Sequence, residues 1–219
     1  MLRFHHIIWD FDGTICDTAP ALIRAYALAM EQVGVHVSPE TVREHIHGTL
    51  TRYSEMLAEK HGFDVAEQME HYWNHLHQVP VEGLKLFPGV LDVLERVQKM
   101  GGKQYILTHH RYPSLKRFLD GHRLNDFFAE IVTPENGFPR KPDPAGFRYL
   151  IDKYAMHKND VLAIGDREPD ILAAQAVGIA TCLFGPEPLD GLQPDHFISS
   201  YDQIRPLLFT DANPAGDSS

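Results

Sequence analysis

The sequence has little cysteine and no long apolar run. Its two cysteines, Cys16 and Cys182, lie far apart, so no disulfide framework can be inferred. Reduced thiols are the default in the cytosol, and we predict a cytoplasmic protein. The apolar segment before Asp10 is too short for a secretory signal, and none is expected. No apolar stretch approaches the roughly 20 residues of a membrane helix, so no membrane partner is predicted.

Basic residues are also scarce relative to acidic ones. The 219 residues include 20 Lys and Arg against 30 Asp and Glu, which gives a formal net charge of -10. An acidic surface repels phosphate backbones and anionic membranes, so we predict no nucleic-acid partner. A small anionic substrate remains compatible, because a local basic pocket can outweigh the global field. The 43% hydrophobic content is enough for a sizeable core.

Short apolar segments alternate with helical patterns along much of the chain. We predict strands at 4–9, 104–108, 128–132, 161–164 and 180–184. Helical patterns begin at 90, 144 and 168, and Gly101 and Gly178 are typical helix stops. This alternation predicts an α/β fold built on a doubly wound, Rossmann-like parallel sheet.

Residues 15–82 break the alternation. They contain no convincing strand, and helices are predicted at 19–33, 39–46, 51–61 and 65–77. We therefore predict a catalytic core formed by residues 1–14 and 83–209, with a helical cap inserted at 15–82. The small, polar residues 210–219 are predicted to form a flexible tail.

Polar residues follow four of the predicted strands. In open parallel sheets, ligands bind beyond the carboxyl ends of the strands, so these residues are expected to converge on one site. They are Asp10 and Asp12 after the first strand, Thr108 at the end of the second, Lys141 in the loop after the third, and Asp166 and Asp170 after the fourth.

Charge repulsion indicates what this site binds. At an effective dielectric of 20, each close pair among Asp10, Asp12 and Asp166 costs about 4 kcal/mol. Such a cluster needs a cation or protons, and hard oxygen ligands suit Mg²⁺. A divalent ion beside Lys141 suits phosphoryl transfer to a carboxylate, which gives an aspartyl phosphate. A second carboxylate two residues away can protonate the leaving alcohol and later deprotonate water.

The same residues resemble the motifs of the haloacid dehalogenase superfamily. The segment Asp10-Phe11-Asp12-Gly13-Thr14 resembles the first motif. Thr108, Lys141 and the segment from Gly165 to Asp170 resemble the other three, in the same order. The resemblance covers about residues 4–184, and residues 15–82 resemble the small helical cap of the phosphoglycolate-phosphatase-like branch.

The resemblance implies a role for each aspartate. Asp10 would be the nucleophile and Asp12 the general acid and base. Asp10, Asp166 and the backbone carbonyl of Asp12 would ligate Mg²⁺. Asp170 would support a metal-bound water or orient Lys141.

The resemblance also implies how the substrate is held. Thr108 and Lys141 would bind the phosphoryl oxygens, and the cap would close over the substrate and supply specificity. Dehalogenases of the family lack a carboxylate at the position of Asp12 and need no metal. The presence of Asp12 therefore favours a phosphate ester as substrate.

Two segments are candidates for further substrate contacts. His109 stands where many members have Asn, and His110 and Arg111 follow it; Arg111 either supplies a compensating charge or faces solvent. A turn at the position of the family's specificity loop either contacts the substrate or merely connects two helices. Its residues are His47, Gly48, Thr49 and Arg52.

Together these features predict a Mg²⁺-dependent phosphatase that hydrolyses a small phosphorylated metabolite through an aspartyl-phosphate intermediate. Phosphoglycolate, a sugar phosphate and a nucleotide are all compatible substrates. A phosphomutase of the β-phosphoglucomutase type and an inorganic pyrophosphatase are the enzymatic alternatives. The alternative of another class is a catalytically silent regulatory or binding protein on the same fold.

Overall fold

The structure is a computed structural model that describes residues 1–46 and 50–209. His47, Gly48 and Thr49, which were predicted to contact substrate, and the tail 210–219 lie outside the described residues. The contacts divide the chain into two compact units. The first contains Met1–Ile15, Leu86–His110 and the chain from Leu124 onward, and the second contains Cys16–Lys85 and Arg111–Arg123.

The regular elements follow the predicted alternation. The strands are β1 (His6–Trp9), β2 (Cys16–Asp17), β3 (Lys85–Leu86), β4 (Lys103–Leu107), β5 (Phe128–Val132), β6 (Val161–Gly165), β7 (Ala180–Phe184) and β8 (His196–Ile198). The helices are α1 (Ala19–Gln32), α2 (Pro39–Ile46), α3 (Leu50–His61), α4 (Val65–Gln78), α5 (Val90–Lys99), α6 (Tyr112–Gly121), α7 (Ala145–Lys153), α8 (Glu168–Val177) and α9 (Arg205–Leu208).

The first unit is built on a six-stranded sheet with the order β5-β4-β1-β6-β7-β8, in which every pair of neighbours is parallel. The chain runs outward from β1 through β4 to β5, and then outward in the opposite direction from β6. The order therefore reverses beside β1, and a crevice at such a reversal is where ligands bind in doubly wound sheets. The predicted fold class is confirmed.

Burial of whole strands explains why this sheet forms. Ile7, Ile8 and Trp9 are at most 1% exposed, and so is the middle of β4. Strands covered on both faces read as continuous apolar runs, as these do. Buried residues of β1, β4 and β6 pack with Phe147 and Leu150 of α7 and with α8 in one apolar cluster.

The second unit is helical. Helices α1 to α4 make up most of it, and Tyr26 of α1 forms a buried hydrogen bond of 2.8 Å with Ser54 of α3. Ser54 in turn donates to Gln68 of α4 over 2.8 Å, so three helices share one polar network. Helix α6 belongs to the same unit, because His122 just after it contacts the Leu84 carbonyl oxygen at 3.1 Å.

Some elements differ from the sequence predictions. Helices α6 and α9 and strands β3 and β8 were not predicted. The expectation of no strand within 15–82 is wrong, because the two residues of β2 pair with β3 in a small second sheet. So short a strand has no side-chain periodicity of its own, and only its partner defines it. The predicted division into core and cap remains a prediction. Among the described residues, no helix is both long and apolar enough to cross a bilayer.

Candidate active site

The register of the sheet places Asp10 beside the ends of two neighbouring strands. Trp9, the last residue of β1, pairs with Ile106 on β4 and with Ile164 on β6. The backbone N–H of Asp10 then donates to the Ile164 carbonyl over 2.8 Å. Residues that directly follow β4 and β6 therefore lie next to Asp10, as parallel pairing requires.

Three carboxylates converge at this point. Asp10, Asp166 and Asp170 each present an oxygen, and these oxygens all lie within 4.8 Å of one another. Asp10 and Asp170 are each 3% exposed. The carboxylates of Asp10 and Asp166, carried by two different strands, are thus close enough to share one cation.

Lys141 joins two of these carboxylates. Its ammonium nitrogen lies 2.9 Å from Asp10 Oδ1 and 2.5 Å from Asp170 Oδ1, and it also donates to the Leu107 carbonyl over 2.9 Å. The ammonium group thus has two hydrogen-bond acceptors, Asp10 Oδ1 and the Leu107 carbonyl oxygen, and forms an ion pair with Asp170. The resemblance implied that Asp170 either supports a metal-bound water or orients Lys141, and its role stays a prediction.

Arg167 is a second cation at the cluster, and the sequence analysis did not single it out. Its guanidinium nitrogens lie 4.0 Å from Asp10 Oδ2 and 3.9 Å from Asp166 Oδ1. With all groups ionised, three carboxylates face two cations and one negative charge is left over. Its position directly after Asp166 could have indicated from the sequence that Arg167 lies at the site.

The electrostatics of the cluster follow from its burial. Burial raises the pKa of the Asp10 carboxyl, although the Lys141 ammonium opposes the shift. Burial and the neighbouring carboxylates of Asp10 and Asp170 raise the pKa of Asp166 well above its usual range. Burial disfavours the charged form of Asp170 too, but Lys141 and Arg167 outweigh it and lower the Asp170 pKa. Asp10 and Asp170 likewise outweigh burial at Lys141 and raise its pKa.

Two glycines make room for the cluster. A Cβ on Gly13, whose φ is +73°, would lie 2.1 Å from Asp166 Oδ2. A Cβ on Gly165 would lie 2.4 Å from the Cβ of Asp170. The backbone therefore approaches both carboxylates more closely than any other residue type would allow.

The donor set fits Mg²⁺. Asp10 Oδ2 and Asp166 Oδ1 are buried and have no hydrogen-bond partner among the described residues. A buried carboxylate oxygen without a partner is costly, and a divalent cation satisfies two of them at once. Asp170 Oδ1 also has no hydrogen-bond partner among the described residues, but it forms a close ion pair with Lys141, and Asp170 Oδ2 accepts from the Arg167 backbone N–H. Asp10 and Asp166 are therefore the better direct ligands.

Asp12 is not one of the three clustered carboxylates, and its side chain contacts a histidine. Both of its carboxylate oxygens lie 3.0 Å from Nδ1 of His110. The His110 backbone N–H donates to Thr108 Oγ1 over 3.1 Å, so the Thr108 hydroxyl keeps its own hydrogen for another acceptor. His110 was noted in the sequence but assigned no role.

His109 has a structural contact within the site. The Lys141 backbone N–H donates to its Nε2 over 2.9 Å, which ties the loop that carries Lys141 to the end of β4. Burial and the nearby cations, Lys141 first, lower the pKa of His109 to about 3. The ring is therefore neutral and can accept this hydrogen bond.

The remaining predicted substrate contacts lie in the helical unit. Arg111 donates to Glu70 over 3.1 Å, and its guanidinium lies 5.0 Å from the centre of the Trp73 ring. These contacts join α6 to α4. Arg52 lies exposed on α3. A substrate role for either residue stays a prediction.

Comparisons with known proteins identify the family. The profile of the haloacid dehalogenase-like hydrolase family matches residues 7–184, most of the chain. The chain belongs to this family. A phosphoglycolate phosphatase of Aliivibrio fischeri is 30% identical over 92% of this chain and 95% of its own length.

Solved structures share the fold. A predicted phosphoglycolate phosphatase from Haemophilus somnus, 23% identical, superposes with a TM-score of 0.80 over 94% of this chain and 99% of its own. The HAD-hydrolase YfnB from Bacillus subtilis, determined bound to magnesium, is 21% identical with a TM-score of 0.75 over 94% of this chain and 98% of its own. The predicted membership of the phosphoglycolate-phosphatase-like branch, and of the hydrolases, is confirmed.

Proposed function

We propose that this haloacid dehalogenase-like hydrolase is a Mg²⁺-dependent phosphatase that acts on a small phosphate monoester through an aspartyl phosphate on Asp10. The observation that carries the proposal is the state of the Asp10 carboxylate. One oxygen is held by Lys141 at 2.9 Å, and the other is buried without a hydrogen-bond partner among the described residues. Lys141 therefore orients the carboxylate, and the second oxygen has lone pairs that are not used in a hydrogen bond with the described residues.

Asp10 would perform the first bond exchange. A carboxylate oxygen forms a bond to phosphorus while the bond from phosphorus to the ester oxygen breaks. Asp12 gives its proton to the departing alkoxide, which leaves as the alcohol. This general-acid step contributes about a hundredfold to ten-thousandfold in comparable enzymes. The phosphoryl group then resides on Asp10 as an acyl phosphate.

Asp12 would also serve the second step. As a carboxylate, it takes a proton from a water molecule while the water oxygen bonds to phosphorus. The bond from phosphorus to Asp10 breaks, phosphate is released, and both aspartates return to their starting forms. Two aspartates two positions apart on one loop thus cover both half-reactions.

The other residues would bind and orient the phosphoryl group. Thr108 and Lys141 would donate to its oxygens, and the Asp170 contact keeps Lys141 charged and in place. Asp10, Asp166 and the Asp12 backbone carbonyl would hold Mg²⁺, which when bound neutralises charge on the phosphoryl oxygens.

The substrate class follows from the relatives. Several curated relatives are named phosphoglycolate phosphatase, with identities from 24% to 30%. We therefore place 2-phosphoglycolate first among candidate substrates, ahead of sugar phosphates and nucleotides. The acidic net charge of -10 favours a small ligand over a polyanion.

The test is phosphate release by the purified protein from a panel of phosphorylated metabolites, with Mg²⁺ and with EDTA. We expect Mg²⁺-dependent release, complete loss in Asp10→Asn, and normal release in Asp152→Asn, an exposed aspartate of α7. Mass analysis of protein trapped during turnover tests the intermediate. The wild-type protein should carry a phosphoryl group, and Asp10→Asn should carry none. Full turnover by rigorously purified Asp10→Asn would rule out the nucleophile.

The same panel separates the alternatives. A phosphomutase would convert a sugar phosphate into its isomer faster than it releases phosphate, and a pyrophosphatase would prefer inorganic pyrophosphate. A protein that binds phosphorylated ligands but turns over none would be the silent regulatory type.

A further inference from the structure

The contact between His110 and Asp12 has no part in the mechanism described so far. His110 is 2% exposed, whereas the Asp12 side chain is 21% exposed. Nδ1 of the buried ring lies 3.0 Å from each Asp12 oxygen. A buried histidine thus contacts the carboxylate that the proposed reaction uses to exchange protons.

The direction of the hydrogen bond follows from the chemistry of the partners. An ionised carboxylate only accepts hydrogen bonds and a protonated one still has an acceptor oxygen, so Nδ1–H serves as the donor to both forms of Asp12. The equal distances mean that this hydrogen is shared by both oxygens. One shared hydrogen occupies only part of the acceptor capacity of a carboxylate. The contact therefore orients the carboxylate without consuming its capacity as acid or base.

The imidazole is itself fixed on two further sides. The Phe11 ring meets it edge-on, with centroids 5.4 Å apart and an interplanar angle of 78°. The His110 backbone N–H is bonded to Thr108 Oγ1 at 3.1 Å. Because the ring is held by its neighbours, it can impose its orientation on the more exposed Asp12 side chain.

We propose that His110 is a positioning residue that holds the Asp12 carboxylate in the rotamer from which it protonates the leaving group; this rests on the proposed function. General acids act only within hydrogen-bond reach of the atom they protonate, and errors of about 1 Å can cost a hundredfold in rate. A partly exposed aspartate on a loop would otherwise sample several rotamers.

Two substrates with different leaving groups distinguish a positioning role of His110 from a packing role. An alkyl phosphate expels a weakly acidic alcohol and needs the general acid, whereas p-nitrophenyl phosphate expels an acidic phenol and needs it little. Loss of Asp12 positioning should therefore lower kcat/KM selectively for the alkyl ester. Loss of packing should lower kcat/KM for both esters equally.

The variants are chosen by where they place a hydrogen-bond donor. Asn carries its amide nitrogen the same number of bonds from Cα as Nδ1, whereas Gln carries it one bond further and Leu has none. We expect His110→Leu to lose about a hundredfold or more in kcat/KM on the alkyl ester. The loss on p-nitrophenyl phosphate should be much smaller. His110→Gln should show the same selective loss, and His110→Asn should recover most of the activity.

A double-mutant cycle completes the test. His110→Leu with Asp12→Asn should lose no more than Asp12→Asn alone, since residues that act as one unit are not additive. Equal losses on both esters, additive losses in the cycle, or no difference between Asn and Gln would overturn the positioning role. If the thermal melt shows that His110→Leu does not fold, the comparison of His110→Asn with His110→Gln tests the positioning role. A wild-type protein inactive on both esters would instead overturn the proposed function.

Discussion

The ammonium nitrogen of Lys141 lies 2.9 Å from the carboxylate of Asp10, although 131 positions separate the two residues in the chain. Lys141 is 7% exposed and Asp10 is 3% exposed. A buried ion pair of this kind is worth little by itself, but removal of one partner leaves the other charge buried and unpaired. Replacement of either residue should therefore lower the stability of the fold as well as change the site.

Removal of the lysine charge should destabilise the protein. We expect Lys141→Met to lower the free energy of unfolding by about 3–5 kcal/mol, because Asp10 and Asp170 would lose their shared cation. Denaturant titration measures the effect. The matched control is Lys153→Met, which removes an exposed lysine bonded to Glu130 at 2.8 Å and should cost far less. Equal losses in the two variants would contradict the buried network.

A methyl group at Gly13 should disable the metal site. In Gly13→Ala the new Cβ would lie 2.1 Å from Asp166 Oδ2, so the carboxylate must move. We expect Mg²⁺ binding, measured by titration calorimetry, and turnover to fall together. Gly101→Ala is the control, because its φ of +82° gives the same backbone strain with nothing within 4 Å of the new Cβ. It should lose stability but bind Mg²⁺ normally.

Mg²⁺ should stabilise the protein more at high pH than at low pH. The pKa values of Asp10 and Asp166 are raised in the folded, metal-free protein, so these groups bind protons more tightly there than in the unfolded chain. Their contribution to stability is present at low pH and is lost as pH rises through the raised pKa values. Mg²⁺ competes with those protons. We expect the Mg²⁺-induced rise in melting temperature to be larger at about pH 8 than at about pH 5.5.

A variant checks the origin of this effect. Asp166→Asn should show little Mg²⁺ stabilisation at either pH, whereas Asp152→Asn should behave like the wild type. A stabilisation by Mg²⁺ that does not change with pH would show that protons and the cation do not compete for these carboxylates.

His109 should make the fold sensitive to acid. Its pKa is lowered to about 3 in the folded protein, well below its usual range. Below about pH 6.5 the unfolded chain binds a proton at this residue that the folded chain does not. Stability should therefore fall as pH drops through this window, with a contribution of up to about 1.4 kcal/mol per pH unit.

Comparison of unfolding free energies across this pH range tests the assignment. His109→Asn cannot titrate there and should have a shallower pH dependence than the wild type. An exposed histidine on the surface, His157, serves as the control and should leave the slope unchanged when replaced by Asn. If the free energy of unfolding depends on pH equally in the wild type and in His109→Asn, the acid sensitivity comes from other groups.

Much of the architecture could be predicted from local patterns. Strand β5 and helix α8 have the bounds that the sequence indicated, and helices α2 and α4 differ from prediction by one residue or less. The three helices have clear end signals: Pro39 begins α2, Asp64 caps α4 and Gly178 follows α8. Helix α6 was overlooked between a motif and a strand, although Pro113 and the buried Leu115 and Phe118 carry the signal.

The sequence by itself determined the parallel sheet and the identities of the chemical groups, because strand ends, glycines and carboxylates are marked by local residue types. Only the tertiary structure decided which side chains of the site contact one another. Asp170 contacts Lys141, Arg167 approaches the acidic cluster, and His110 contacts Asp12. Such pairings depend on side-chain directions across separate strands, and the spacing of residues along one chain does not encode those directions.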